Sequence, residues 1–251
     1  MNKITFGNKQ KKNVKIASCW DDLTSKQFLE VVKHLPKLAT ENFPDELLRV
    51  LLGINKKLFV QISAVQKYHI QQTFDFLRNK PEMKRLLIQS FKIKRKKFVG
   101  YMPAFSNTTW EEFIFADQYF MNNQFLHAIA VLYRERKKRR KRDGQSDIRI
   151  PFSIYGTSKR LEKITALDGN TVAAIALNYQ ALREKNISEK YTHIFSFSAQ
   201  DTADKSFSWV NVHRNILSEY FFEEEKFLKS NVHAVLHRMN NLIEENKKKK
   251  K

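Results

Sequence analysis

The feature that most constrains this chain is an aromatic helix that runs directly into a block of positive charge. Residues 110–133 carry large apolar side chains at spacings of three and four, which predicts a helix with one wide buried face. Thr109, with Glu112 three residues later, is typical of the capping box that begins a helix, and the polar stretch 121–124 can interrupt it. Eight of the nine residues 134–142 are Lys or Arg. We therefore expect the first stretch to be buried and the second to be exposed.

The composition supports a folded body around this helix. The chain has 251 residues, of which 42% are hydrophobic, and this is enough for one large domain or two small ones. We interpret the aromatic side chains of the helix as core, because large aromatics dominate core energetics, rather than as a binding site for a base or cofactor. The single cysteine, Cys19, permits no internal disulfide. This suggests a reducing compartment, or a fold that is stable without disulfide bonds. No run approaches the ~18 apolar residues of a membrane span and no signal peptide is recognisable, so we expect a soluble, unexported protein.

The net charge of +20 is concentrated in a few segments. Four windows, 3–15, 92–97, 134–142 and 247–251, contain 23 of the 46 basic residues and only one acid, Glu135. Solvated charge is the simplest explanation, whereas four basic runs on a near-neutral body also suggest contact with nucleic acid or with an acidic protein surface. The candidate contact residues come from the two internal windows: Lys94, Arg95, Lys96, Lys97, Arg134, Arg136, Lys137, Lys138, Arg139, Arg140, Lys141 and Arg142.

Local signals mark several further helices. Thr24 with Gln27 fits a second capping box. A second helix is expected to begin at residues 42–45, where Pro44 and Asp45 suit its first turn, and to end at Gly53, because glycine is favoured just beyond a helix C-terminus. The helical pattern continues over residues 58–77, and Pro81 is expected to open another short helix.

One stretch clearly predicts β structure. Apolar residues on either side of the basic residues 94–97 predict a β-hairpin over residues 91–101 with a charged tip. Residues 1–18 are interpreted as a basic arm, flexible or extended. The segment 191–207 alternates weakly and fits either a strand or an ordered loop, while residues 209–222 have a helical pattern.

The last predicted helix carries a narrow apolar stripe suited to a partner helix. The stripe consists of Val232, Val235, Leu236, Met239, Leu242 and Ile243. His233 and His237 lie four residues apart on the same helix, a spacing that lets two imidazoles share a metal ion. However, Ala234 stands where a zinc-protease motif has Glu, and no cysteine or carboxylate set completes the site. We therefore assign no metal site.

The sequence contains no recognisable catalytic signature. Its six glycines are scattered, so neither a phosphate-binding P-loop nor a dinucleotide-binding G-x-G-x-x-G turn is present. Residues 224–226 match the E-x-K triplet of metal-dependent nucleases, but such triplets are common by chance, and no G-x-S-x-G context supports a serine nucleophile. We expect a non-enzymatic protein with no catalytic residues and no cofactor.

These signals together predict a mostly α fold, a multi-helix globular body with one small β-hairpin. The expected organisation has five parts, which are a basic N-terminal arm (1–18), an N-terminal helical domain with the hairpin (19–133), a basic loop (134–147), a C-terminal helical part (148–246) and a lysine tail (247–251).

Several short segments resemble uncharacterised proteins from the structural gene modules of tailed phages and prophages. They occur in the same order along most of the chain, at residues 20–29 (WDDLTSKQFL), 51–54 (LLGI), 109–113 (TWEEF), 132–134 (LYR), 147–152 (DIRIPF) and 231–236 (NVHAVL). The resemblance implies a helical, non-enzymatic protein of virion structure or assembly, with tail-assembly chaperones and head-to-tail connector components as the nearest roles. It also implies other phage structural proteins as partners, an oligomeric assembly, and a location in the virion or the host cytoplasm. The lack of a membrane-spanning apolar run predicts no membrane contact.

Two hypotheses from different classes follow. In the first, the protein is a structural or assembly protein of a tailed phage that acts through protein–protein contacts, with basic segments that could touch DNA. In the alternative, it is a sequence-independent nucleic-acid-binding accessory protein whose Lys and Arg side chains neutralise phosphates. In that case Phe98 and Tyr101 could stack on bases, although core packing also explains them.

Overall fold

The fold is mostly α-helical, as the sequence predicts. The computed structural model describes residues 2–6, 12–38, 42–137, 147–196, 209, 212–213 and 224–249. The predicted hairpin over residues 91–101 is present as two antiparallel strands. None of the helices within these ranges is both long enough and apolar enough to cross a bilayer.

The described strands are β1 (Asn2–Phe6), β2 (Lys12–Ile16), β3 (Ser90–Ile93), β4 (Lys96–Val99) and β5 (Arg134–Glu135). The described helices are α1 (Ser25–Leu38), α2 (Asp45–Leu52), α3 (Lys56–Phe59), α4 (Ala64–Gln72), α5 (Trp110–Met121), α6 (Phe125–Leu132), α7 (Ile154–Ile164), α8 (Gly169–Arg183), α9 (Thr192–Ser196), α10 (Glu224–Leu228) and α11 (Val232–Lys249).

The chain forms two contact units. Unit 1 comprises Met1–Ile88 and Gly169–Ala181, and unit 2 comprises Gln89–Asp168 and Leu182–Lys251. The sequence placed its division at residues 134–147 instead. The described residues of that segment, 134–137 and Asp147, lie in unit 2, and the N–H of Lys137 donates to the carbonyl oxygen of Ile148 at 2.9 Å.

In unit 1, helices α1 and α2 pack against each other through apolar faces. Phe28 and Leu47 are 0% exposed. The capping box predicted at the start of α1 is present, because the N–H of Thr24 donates to Oε1 of Gln27 at 2.8 Å and the N–H of Gln27 donates to Oγ1 of Thr24 at 3.3 Å. Gly53 ends α2 in the left-handed conformation, with φ of 60°, as predicted.

Residues 2–6 and 12–16 of the basic N-terminal arm form two strands, so these residues are extended, which is one of the two states that the sequence predicted. Strands β1 and β2 form an antiparallel hairpin in which Ile4 lies opposite Val14. An isolated hairpin is marginally stable in water. Here β2 packs against α2, and Val14 and Ile16 are buried. Burial of these two residues explains why so basic a segment adopts regular structure.

No helix begins at Pro81, contrary to the prediction. Side chains from other parts of unit 1 bind the backbone of the segment that follows. The carboxylate of Asp21 accepts a hydrogen bond from the N–H of Lys84 at 3.0 Å, and Oδ1 of Asn178 accepts one from the N–H of Leu87 at 2.7 Å. These tertiary hydrogen bonds satisfy backbone donors that a helix would otherwise have to satisfy.

In unit 2, the aromatic stretch 110–133 forms two helices, α5 and α6. The chain turns at Asn123, which has φ of 57°, within the polar stretch where the sequence allows an interruption. Trp110, Phe113 and Tyr133 are each 0% exposed. The interpretation as core is therefore confirmed for these three residues.

Buried polar contacts join the helices of unit 2. Asp117 in α5 is 0% exposed and accepts hydrogen bonds from Nε of Arg183 and from Nε1 of Trp209, both at 2.6 Å. Arg160 in α7 donates from Nε to the carbonyl oxygen of Ala130 in α6 at 2.8 Å. Such charge-assisted contacts fix the helices more specifically than apolar packing alone.

The sheet of unit 2 has three antiparallel strands in the order β3-β4-β5. Phe98 of β4 lies between Phe91 of β3 and Glu135 of β5. An extended segment around Arg149 pairs with the end of β5 through a bridge to Arg136. The basic run that follows α6 therefore begins inside a sheet, which the sequence did not predict.

Candidate nucleic-acid interface

A row of cations crosses the sheet of unit 2. Lys92 of β3 lies directly opposite Lys97 of β4. The N–H of Arg136 donates to the carbonyl oxygen of Lys97 at 3.3 Å, which continues the row past β5, and Arg136 in turn pairs with Arg149. Of these four side chains, those of Lys92, Lys97 and Arg136 are exposed. We call these three residues the cationic row.

The aromatic residues of the hairpin lie on the opposite face of the sheet. Successive side chains of a strand point to opposite faces, so Phe91 and Phe98 point away from the cationic row. Their rings stack with centroids 5.5 Å apart, and Phe91 also stacks on Tyr133 at 5.1 Å. Phe98 is 0% exposed and Tyr101 is 3% exposed. Neither ring is accessible for stacking on a base, and both belong to the core.

The turn that joins β3 to β4 is also cationic. Lys94 and Arg95 are exposed, and Lys94 has φ of 53°. A left-handed conformation costs a residue with a Cβ atom roughly 1–2 kcal/mol, and such hairpin positions usually hold Asn or Gly. Residues that persist in an unfavourable backbone conformation are frequent at functional sites. The lysine at this turn therefore supports a binding role for the tip of the hairpin.

A buried ionic cluster lies next to the cationic row. Nη2 of Arg134 lies 2.8 Å from Oε1 of Glu112, and Nη2 of Arg149 lies 3.2 Å from Oε2 of the same carboxylate. Asp147 joins the same two arginines, with Oδ2 3.0 Å from Arg134 and 2.7 Å from Arg149. The side chains of Arg134 and Arg149 are only 2% and 0% exposed. We call these four residues the ionic cluster.

The local structure explains how the ionic cluster forms. Thr109 is the N-cap of α5, and its Oγ1 accepts the N–H of Glu112 at 3.2 Å. The side chain of Glu112 pairs with the arginines, so the two-way capping box expected from the sequence is only half made. Arg149 also donates to the carbonyl oxygens of Leu132 at 2.9 Å and Asn107 at 3.0 Å. Its guanidinium thus ties the end of α6 to the start of α5.

The environment shifts the pKa values of the two carboxylates in opposite directions. Burial raises the pKa of Glu112 above its ordinary value of 4.5, and the charges of Arg149 and Arg134 only partly offset this effect. Burial also acts to raise the pKa of Asp147, but hydrogen bonds and the charge of Arg149 hold it below the ordinary value of 3.8. Burial and then repulsion from Arg149 lower the pKa of Arg134 to about 10, so this arginine stays protonated at neutral pH.

The acids near the cationic row are engaged with other cations. The two carboxylates of the ionic cluster are already paired with two arginines. On the other face of the sheet, Glu135 accepts hydrogen bonds from Lys96 at 3.2 Å and Lys163 at 2.7 Å. Within the described ranges, no carboxylate is paired with Lys92, Lys97 or Arg136. A bound polyanion would relieve the repulsion among these three cations.

The predicted contact residues fall into three groups. Those that lie exposed on the sheet or its edge are Lys94, Arg95, Lys96, Lys97, Arg136 and Lys137. Those that lie outside the described residues are Lys138, Arg139, Arg140, Lys141 and Arg142. Arg134 has to be removed from the set, because the chain enters β5 directly after α6 and buries this guanidinium in the ionic cluster.

The apolar stripe predicted to meet a partner helix packs within this chain. Helix α11, which carries it, contacts α5 and α9. The buried members of the stripe are Val232, Val235, Leu236 and Met239. Leu242 and Ile243 are half-buried. The spacing of three and four residues correctly indicates that the stripe makes apolar contacts. It does not show whether the helices that it contacts belong to the same chain or to another one.

His233 uses both ring nitrogens for contacts inside unit 2. Its Nε2 donates to the carbonyl oxygen of Ala104, and its Nδ1 lies 2.8 Å from the hydroxyl oxygen of Tyr191. His237 contacts Asn241 instead. Within the part of the chain that the structure describes, no three His, Cys, Asp or Glu side chains are grouped to hold a metal ion.

The triplet 224–226 lies at the start of the short helix α10. It lines an open depression of about 700 Å³ together with Lys229 and Ser230. Glu225 is paired with Lys229, and the side chain of Glu224 is 65% exposed at 3.5 Å from His213. Both glutamates therefore lie close to a basic side chain of the same chain.

Three apolar residues near the start of α7 are exposed. Ile150 is 40%, Ile154 is 51% and Tyr155 is 91% exposed. They lie within six residues of the chain, directly after the ionic cluster. Exposed apolar groups of this kind often mark sites of protein interaction. We call these three residues the apolar patch.

Sequence reasoning missed the ionic cluster. Glu112 was assigned to a helix cap, Arg134 and Asp147 to a basic loop, and Arg149 to the C-terminal helical part. A signal was nevertheless present, because the resembling segments TWEEF, LYR and DIRIPF supply all four members of the cluster. Acids and arginines within otherwise apolar segments indicate buried ion pairs better than surface contacts.

Searches against known protein families, curated proteins and solved structures find no match for this chain.

Proposed function

We propose that this protein is a non-enzymatic structural or assembly protein of a tailed phage that binds nucleic acid through the cationic row. The observation that carries the nucleic-acid part is a set of three exposed cations, two on the adjacent strands β3 and β4 and one just past the end of β5, none of which is paired with a carboxylate of the described residues. Lys and Arg side chains bind phosphates and release counterions, and this contact needs no recognition of bases. The interaction is therefore expected to be independent of sequence.

The rigidity of the sheet favours nucleic acid over an irregular acidic protein surface. Neighbouring strands are about 4.8 Å apart, so the backbone holds the three cations at a regular spacing. Phosphates are also regularly spaced along a nucleic acid. Lys94 and Arg95 at the tip of the hairpin add two more exposed cations beside the row.

The phage part of the proposal is supported by the resembling segments and by the apolar patch. The partners we propose are other phage structural proteins, in an oligomeric assembly located in the virion or the host cytoplasm. A neighbouring subunit would cover Ile154 and Tyr155, whose exposure is unfavourable for a protein that acts alone. Replacing Tyr155 with Lys should then leave the fold intact and prevent incorporation into the assembly.

The nucleic-acid part is tested by titrating a labelled DNA duplex at several salt concentrations. A variant with Lys92, Lys97 and Arg136 replaced by Ser should bind more weakly and with a smaller dependence on salt. The matched control replaces Lys26, Lys37 and Lys57 of unit 1, which are exposed, with Ser and removes the same net charge. Equal loss of affinity in both variants would show that only total charge matters.

The phage part is tested by mass spectrometry of purified particles and by the genomic neighbourhood. A virion component is present in stoichiometric copies, whereas an assembly chaperone is absent from the finished particle. A gene that lies among replication or metabolic genes, far from portal, capsid and tail genes, would argue against this part of the proposal.

A further inference from the structure

We infer that the nucleic acid bound by the cationic row is double-stranded DNA, contacted through the phosphates of both strands and not through the bases. This inference rests on the proposed function and adds the class of nucleic acid to it. Two features of the sheet support it, the side chains that share the face of the row and the distance that the row spans.

The face that carries the cationic row offers, within the described part of the sheet, no ring on which a base could stack. By alternation, the row shares its face with Ser90 and Val99, whereas Phe91 and Phe98 lie on the other face with Tyr133. Proteins that bind single strands without sequence preference combine a basic groove with exposed aromatic side chains. This sheet supplies the charges without the rings, so a single strand would gain little beyond electrostatic attraction.

The span of the row suits two phosphate backbones. Lys92 and Arg136 are separated by two strand spacings of about 4.8 Å, which gives about 10 Å between their backbones. The minor groove of B-form DNA is about 6 Å wide and has a phosphate backbone on each side. The long side chains of Lys92 and Arg136, at the two ends of the row, can therefore reach the phosphates on both sides of the groove. A duplex also carries about one charge per 1.7 Å of axis, against one per 3.4 Å for one strand.

The test compares a labelled duplex with a single-stranded oligothymidine of the same length, using the full chain over a range of salt concentrations. The duplex should bind more tightly at every salt concentration. The slope of log affinity against log salt should be steeper for the duplex, because each neutralised phosphate contributes about 0.9 for B-form DNA and about 0.7 for a single strand. Replacing Lys92, Lys97 and Arg136 with Ser should reduce the duplex slope by about 0.9 for each phosphate that the variant no longer neutralises.

Tyr155 provides the control for base stacking, since it is 91% exposed. Tyr155→Ala should leave the affinities for both DNAs unchanged. Equal or tighter binding of the single strand would overturn the inference while leaving the proposed function standing, and loss of that binding in Tyr155→Ala would identify the stacking residue. No binding of either DNA at the lowest salt concentration would instead overturn the proposed function, and this inference with it.

Discussion

Lys92 and Lys97 face each other directly across strands β3 and β4, so two ammonium groups occupy one cross-strand pair. Like charges in such pairs destabilise a sheet by roughly 0.2–1 kcal/mol. Arg136 extends the same row beyond β5. This arrangement is unfavourable in the free protein and favourable when a polyanion is bound. If the proposed function is correct, stability and binding place opposite demands on the same residues, a conflict that solvated charge without a binding role would not show.

We expect Lys97→Glu to stabilise the protein and to weaken DNA binding. The substitution replaces a repulsive cross-strand pair with an attractive one, and an exposed carboxylate beside Lys92 and Arg136 should raise the free energy of unfolding by about 0.5 kcal/mol. The same carboxylate repels phosphates, so affinity for DNA should fall together with its salt dependence. Urea denaturation measures the first effect, and fluorescence anisotropy of a labelled duplex measures the second.

Lys57→Glu is the matched control for this prediction. Lys57 is exposed on α3 of unit 1, and its substitution changes the net charge by the same amount. It should affect DNA binding much less than Lys97→Glu. If Lys97→Glu destabilised the protein, the repulsion that we assign to the Lys92–Lys97 pair would be incorrect.

The turn of the same hairpin gives a second prediction. Lys94→Gly should raise the free energy of unfolding by roughly 1 kcal/mol, because glycine adopts the left-handed conformation without the steric cost that lysine bears. Arg95→Gly removes the same charge from a residue whose φ is not positive, so it should give no such gain. DNA affinity should fall by a similar factor in both variants. Thermal denaturation and anisotropy separate strain from charge, and equal stability changes in the two variants would contradict the strain argument.

The sequence predicted those features that neighbouring residues determine. The capping box at Thr24, the end of α2 at Gly53 and the hairpin over residues 91–101 depend on residues close in the chain, and all three are present. The aromatic face of residues 110–133 is buried as expected, because its period is itself a local signal.

Features that depend on distant residues were not predictable in this way. Arg134 resembled its basic neighbours in composition, but Glu112 and Asp147 bury it, and those partners lie 22 and 13 positions away in the sequence. The cationic row likewise depends on strand register, which brings Lys97 beside Arg136. Composition identified the charge of the candidate interface, whereas register determined which cations share a face.

The ionic cluster provides a third prediction. Arg149→Met should lower the free energy of unfolding by about 3–5 kcal/mol, because it leaves the buried carboxylate of Glu112 and the half-buried carboxylate of Asp147 with one arginine. It also removes donors to the carbonyl oxygens of Leu132 and Asn107. The double variant Arg149→Met/Glu112→Leu lacks one of the two carboxylates. It should therefore regain part of the free energy of unfolding that Arg149→Met loses. Urea denaturation of both variants checks this, and a loss below about 1 kcal/mol in the single variant would mean that solvent reaches the cluster.

The lowered pKa of Asp147 predicts a pH-dependent contribution to stability. The folded protein holds this carboxyl below its ordinary pKa of 3.8, so its ionised form stabilises the fold above that value. The contribution is lost as the pH falls through the folded pKa. We therefore expect Asp147→Asn to be clearly less stable than the wild type at neutral pH, with a difference that shrinks below about pH 4. Urea denaturation across this range measures the difference, and a constant difference would exclude ionisation as its cause.

Glu112 should show the opposite pH dependence, because burial raises the pKa of its carboxyl above the ordinary value of 4.5. The stability contributed by a raised pKa is fully present below the unfolded value and is lost as the pH rises through the folded value. Compared with Glu112→Gln, the wild type should therefore lose stability as the pH rises above about 4.5, although its carboxylate is paired with Arg134 and Arg149. Urea denaturation over the same pH range gives the free energy of unfolding of the wild type minus that of each variant. As the pH rises, this difference should fall for Glu112→Gln and increase for Asp147→Asn. Parallel changes would mean that the cluster titrates as a single unit, with neither carboxyl dominated by burial.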